Sequence, residues 1–150
     1  MSGYWLIKSE PTVYPWSQLQ KEKRTVWDGI RSFEARNNLR AMKVGDLCAF
    51  YHSNVGKEIV GVARVVREAY ADPKAPDEDW SAIDIAPEYP LEQAVTLATL
   101  KSTKSTAAME LVKKSRLSVT KVTPKEWKAI HNLSKSPAAS VSERVVKKKK

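Results

Sequence analysis

Two runs decide the fold of this chain: Leu47-Cys48-Ala49-Phe50-Tyr51 and Ile59-Val60-Gly61-Val62-Ala63-Arg64-Val65-Val66. Both are rich in apolar, β-branched and aromatic residues, which suit a pleated surface. Between them lies Ser53-Asn54-Val55-Gly56-Lys57, whose Asn and Gly favour a reversing loop. The spacing predicts an antiparallel pair, and the rest of the chain arranges itself around it.

Upstream, Tyr4 to Lys8 reads as a strand ended by Ser9-Glu10-Pro11, because proline cannot continue a central ladder. Pro15 to Lys21 reads as a short helix with proline in its first turn. Thr25 to Trp27 is a short strand followed by the turn signal Asp28-Gly29. Phe33 to Met42 fits a helix capped by Ser32.

Downstream, Ala71 to Asp79 is rich in Pro and Asp and reads as a mobile loop. Trp80 to Ile85 alternates at period two, which predicts a strand exposed on one face. Leu91 to Leu100 and Met109 to Lys114 read as helices, and Leu117 to Val122 as a final strand. Thr123-Pro124-Lys125-Glu126 opens a last helix with Thr as N-cap, Pro at the first position and Glu at the third. Short strands interrupted by short helices predict an α+β fold: a mainly antiparallel, barrel-like sheet flanked by short helices. One domain over residues 1–134 and a disordered basic tail over 135–150 are expected.

A chain of 150 residues, 42% hydrophobic, can fill one core. Its formal charge is +9, but residues 135–150 hold six basic residues against the single acid Glu143, which leaves +4 on residues 1–134. A mild excess suits local phosphate contacts better than wholesale coating of a duplex. The single cysteine, Cys48, excludes an internal disulfide and a cysteine-cluster zinc site, and its apolar neighbours predict a buried, inert thiol. The start lacks a leader pattern and no run approaches the ~18 apolar residues of a membrane span. A soluble cytoplasmic protein is expected, nuclear if the source is a eukaryote, monomeric and without a membrane partner.

Function is read from Tyr4-Trp5-Leu6-Ile7-Lys8-Ser9-Glu10-Pro11 and Thr25-Val26-Trp27-Asp28-Gly29-Ile30-Arg31, reinforced by Glu34-Ala35-Arg36-Asn37 and Tyr51-His52-Ser53-Asn54. Each mixes a large aromatic with small polar and basic residues near a strand end. That chemistry suits a pocket in which a flat, polar ring stacks on an aromatic face while its edge is hydrogen-bonded. With basic residues nearby for phosphates, a nucleobase is the leading ligand. Each feature also has a plainer role: Trp27 as core, Ser9 and Glu10 as turn caps, Arg31, Arg36, Arg40 and Lys43 as a solvated helix face. Adjacent His52 and Ser53 would point to opposite sides of a strand, and no G-x-S-x-G elbow is present. His52 and His131 are the only histidines, so no metal site is expected. Glycine-rich phosphate loops are absent, and no cofactor is expected. Two classes remain: a non-enzymatic reader of a base, or an enzyme or enzyme subunit acting on nucleic acid or a small heterocycle.

Taken in order, Tyr-Trp-Leu-Ile-Lys-Ser-Glu-Pro, Trp-Asp-Gly-Ile-Arg, Glu-Ala-Arg-Asn, Met-Lys-Val-Gly-Asp, Tyr-His-Ser-Asn, Ile-Val-Gly-Val-Ala, Ala-Tyr-Ala-Asp-Pro and Arg-Leu-Ser-Val resemble the EVE domain from Tyr4 to about Leu133. Ser32 and Glu34 depart from the Asn and Gln of the family pattern. The resemblance implies a PUA-like fold, related to the YTH domain that reads methylated adenine in RNA. It also implies a reader without catalysis whose partner is DNA or RNA carrying a modified base, such as a modified cytosine or methyladenine. A looser similarity to YTH places Lys8, Ser9 and Glu10 on the base- and phosphate-contacting strand end and Trp27 on one wall of an aromatic cage. The second wall has no match, so Trp80 and Tyr51 stand in for it. The base-binding candidates are then Ser9, Glu10, Trp27, Asp28, Gly29, Asn37, Tyr51, His52, Ser53 and Trp80. The phosphate candidates are Lys8, Arg31, Arg36 and Arg116.

Overall fold

The predicted hairpin forms the centre of the sheet. The structure, a computed structural model, describes residues 3–135; the tail expected over 135–150 lies outside them except for Lys135, which ends the last helix. Among the described residues six strands are present, β1 (Tyr4–Ser9), β2 (Thr25–Trp27), β3 (Leu47–His52), β4 (Glu58–Ala71), β5 (Ser81–Thr96) and β6 (Val119–Val122). Five helices accompany them, α1 (Trp16–Glu22), α2 (Phe33–Ala41), α3 (Leu97–Ser102), α4 (Glu110–Lys113) and α5 (Pro124–Lys135). The sheet order is β2-β5-β4-β3-β1-β6. Only β1 and β3 run parallel; every other pair is antiparallel.

Register shifts recur along β4, one against β3 and four against β5, and such bulges bend and twist a sheet. At the bend, Phe50 faces Gly61. Glycine is required there: a Cβ on Gly61 would lie 2.5 Å from the Trp16 ring.

Strand alternation sends Trp5, Ile7, Cys48, Phe50, Ala63 and Val65 to one face, where Trp16 and Leu19 of α1 and Ala35 and Leu39 of α2 cover them. Leu6, Ala49, Tyr51 and Val62 point to the other, beneath Leu100, Leu111, Trp127 and Ile130 of α3, α4 and α5. Both faces are covered, so the central strands read as continuous apolar runs. Cys48 is buried there, and burial pushes its thiol far up from the ordinary range. The predicted caps also form: Ser32 Oγ accepts from Ala35 N–H, and Thr123 and Glu126 satisfy each other's backbone N–H.

Two expectations are corrected. Ser81 to Ala86 is buried throughout, not exposed on one face, because Ile83 and Ile85 pack into the core while Arg24 and Tyr70 close over Asp84 on the other face. Leu91 to Thr96 continues β5 rather than forming a helix; α3 starts only at Leu97, capped by Thr96. Pairing of Ile59 with Val95 and Glu58 with Thr96 overrides local propensity. Pro87 and Pro90 are tolerated because β2 reaches only to Ile85, leaving that stretch of β5 without a neighbour from β2. No helix among the described residues is long and apolar enough to cross a membrane.

Candidate nucleic-acid interface

Because β1 and β3 are parallel, their C-terminal ends emerge side by side, and antiparallel β6 begins at the same edge. Ser53 N–H donates to the Ser9 carbonyl at 2.9 Å and Lys8 N–H to the Ser118 carbonyl at 3.1 Å, which fixes the three ends together. The turn after β2 closes the space. A cleft of about 450 Å³ results, lined by Lys8, Ser9, Glu10, Val13, Asp28, Gly29, Ser53 and Ser118. A second hollow of about 280 Å³ shares Val13 and Asp28 and is lined further by Tyr14, Thr25, Val26, Trp27 and Lys74.

Each wall has a local cause. Pro11 ends the ladder, and the Glu10 carbonyl then accepts from the N–H groups of Val13 and Tyr14, turning the chain. The Ser9 hydroxyl donates to the Tyr14 carbonyl and braces that turn, while the Glu10 side chain is exposed. Opposite, Gly29 has φ +76°, a left-handed conformation natural to glycine. Its N–H donates to Asp72 at 2.9 Å. Fully buried Asp72 also accepts from the Arg31 guanidinium at 2.9 Å and from Lys74 N–H at 2.7 Å. Burial alone would raise the Asp72 carboxyl, but Arg31 and the two backbone donors outweigh it and hold the group below the usual carboxylate range. Asp28 faces the cleft, paired with Lys74 at 3.1 Å. The half-buried Lys8 ammonium donates to the Ser115 carbonyl at 2.7 Å, and burial lowers its pKa.

The structure thus brings Lys8, Ser9, Glu10, Asp28, Gly29 and Ser53 into one cleft, with Trp27 beside it. Trp27 is 9% exposed, its ring edge-on to Tyr14 and Phe50, so it is core and hollow wall at once. Tyr51 is buried on the opposite face of the sheet. His52 Nε2 accepts from Trp16 N–H at 3.0 Å, and burial pulls its pKa down. Asn37 is engaged by the Arg36 guanidinium. Trp80 stacks on Phe33 with ring centres 5.5 Å apart, outside the lining of either hollow. Arg116 lines a separate groove of about 400 Å³ with Lys113, Lys114 and Glu34. Among the described residues no three His, Cys, Asp or Glu side chains cluster to hold a metal ion.

Val13, Asp72, Lys74, Phe33 and Ser118 were not among the sequence candidates. Two of them were within reach, since Asp72 lies in Ala-Tyr-Ala-Asp-Pro and Ser118 in Arg-Leu-Ser-Val. For Phe33, only its exposure in the folded chain gives it away.

Residues 3–133 match the model of the EVE domain. Thymocyte nuclear protein 1 of Homo sapiens is 32% identical over 171 residues, spanning 89% of this chain and 74% of that protein. Human THYN1 protein in complex with 5-methylcytosine containing DNA has a similar structure, with TM-score 0.83 and 31% identity over 90% of this chain and 99% of that one. A Rhodopseudomonas palustris protein solved by NMR gives TM-score 0.84 at 43% identity, covering 88% and 92%. The YTH domain of Zygosaccharomyces rouxii MRB1 protein, in complex with N6-methyladenosine RNA, shares the fold at TM-score 0.58 and 18% identity, covering 90% and 88%.

Proposed function

The chain belongs to the EVE-domain family, and from that premise we propose that it is a non-enzymatic module that binds nucleic acid and reads a modified base in the cleft at the ends of β1 and β3. One observation carries the reading: the similar human structure is a complex with DNA containing 5-methylcytosine. The chemistry of the cleft supports it. Glu10 and Asp28 supply carboxylate acceptors, which suit the exocyclic amine of cytosine or adenine. Trp27 supplies an aromatic wall beside them, Lys8 a cation in the cleft lining, and Arg31, Arg36 and Arg116 further cations outside that lining for phosphates.

Two of the groups that could do chemistry are otherwise engaged. His52 Nε2 holds a backbone N–H, and the Cys48 thiol is buried and kept protonated. A base must leave its stack to enter, which costs a few kcal/mol in a duplex and less in a single strand. Single strands should therefore bind more tightly than duplexes of the same sequence.

The test is a titration of the protein with single-stranded and duplex oligonucleotides, each carrying one modified base, beside unmodified controls. A several-fold preference for one modification, with the base recovered unaltered by mass spectrometry, is expected. Equal affinity for every modified base and its parent overturns the reading, and a new base product replaces it with an enzyme.

A further inference from the structure

Phe33 is 68% exposed although it opens α2, a position where any polar residue would serve. Its ring lies nearly parallel to Trp80, 14° off, at 5.5 Å between centres. Two guanidinium groups attend this pair: Arg31 lies 5.6 Å from the Trp80 ring, and Arg36 lies 5.0 Å from Phe33 and 5.9 Å from Trp80. Asp79 pairs with Arg36 and Arg40 and ties the end of the β4–β5 loop to α2. The Asp72 N–H to Trp80 carbonyl bond closes that loop at its base.

This surface is joined to the cleft. Asp72 takes both the Gly29 N–H of the cleft lip and the Arg31 guanidinium beside Trp80. Gly29 and Phe33 are four residues apart, so their Cα atoms lie within about 14 Å, a distance a single strand covers in a few nucleotides. An exposed Phe33 ring backed by Trp80, with arginines over the rings and a base pocket close by, is the kind of arrangement that stacks the unpaired bases of a strand.

We infer that Phe33 and Trp80 form a second subsite, which stacks a base neighbouring the one held in the cleft. The inference rests on the cleft being a nucleobase site. It converts the cleft from a pocket for one nucleotide into the centre of a short single-strand track. The occupant is a nucleobase of the same strand, read by its flat face rather than its edge, so the subsite is tolerant of sequence.

The test compares two probes, a single-stranded oligonucleotide with one central 5-methylcytosine and the mononucleotide 5-methyldeoxycytidine monophosphate. Phe33→Ala should weaken the oligonucleotide about tenfold, the loss expected for one stacking face. It should leave mononucleotide affinity and the ratio of modified to unmodified oligonucleotide unchanged. Phe33→Trp should restore affinity and Phe33→Leu should not, which separates stacking from simple apolar cover. Wild-type oligonucleotide affinity in folded Phe33→Ala overturns the inference, as does equal loss for both probes. If the wild-type protein shows no preference for any modified base, the reader assignment fails; the effect of Phe33→Ala on an unmodified strand still decides the platform.

Discussion

The cleft and the Phe33–Trp80 surface flank one short segment, Asp28 to Arg31, yet they are built in opposite ways. The cleft is made of strand ends and turn backbone, and its aromatic neighbour Trp27 is wedged between Tyr14 and Phe50 with little of the ring left to solvent. The other surface leaves Phe33 mostly open to solvent against a half-buried Trp80, with ion pairs to Asp79 and a closed loop beside them. An aromatic can thus shape a site by being core beneath it, or by being a face that a ligand touches. The two tryptophans, read from sequence as walls of one cage, differ in this respect: Trp27 is packed as core beside a hollow, and Trp80 lies half-exposed against Phe33.

The sharpest way to break this contrast is truncation of both tryptophans. Trp27→Ala should cost about 3–5 kcal/mol of stability, because it empties a packed position between two aromatic rings. Trp80→Ala should cost only about 1 kcal/mol, since much of its stack is at the surface. Denaturant melts of the two variants decide it, and equal losses would remove the distinction.

Asp72 links the two regions, and its replacement comes next in size. Asp72→Asn should cost about 2 kcal/mol, less than for a fully enclosed pair because Arg31 reaches solvent. The sign of the pH effect follows from a depressed folded-state pKa: the stabilisation is present above the unfolded value and is lost as pH falls through the folded one. Asp84, held low against burial by Tyr70 and Arg24, behaves in the same way. Urea midpoints measured downward from about pH 4 should fall steeply in the wild type and less so in Asp72→Asn.

Within the cleft, Glu10→Gln exchanges an acceptor-only edge for a mixed one. It should lower preference for a cytosine- or adenine-type amine by about 1 kcal/mol, with the fold intact because the side chain is exposed. A competition titration against a base lacking that amine reads the change. The smallest effect is expected at the separate groove: Arg116→Gln should reduce the slope of log affinity against log salt by about one phosphate contact without altering base preference.

Local chemistry determined much of this protein. The caps at Ser32 and Thr123, the central hairpin, the burial of Cys48 and the strand-end placement of Ser9, Glu10, Asp28 and Gly29 all follow from neighbours in the chain. Proline, glycine and hydroxyl side chains act over a few residues, so their consequences can be read in sequence. The tertiary structure alone decided the rest. It drew Leu91 to Thr96 into β5 by pairing with β4, and it covered both sheet faces, which hid the exposure pattern expected for Trp80 to Ile85. It also sent Tyr51 to the far face, tied Gly29 and Arg31 to an aspartate some forty residues away, and set Trp80 on Phe33 instead of across from Trp27. These outcomes depend on which distant segments share a contact, and a buried carboxylate or an aromatic ring accepts whichever partner the folded chain delivers.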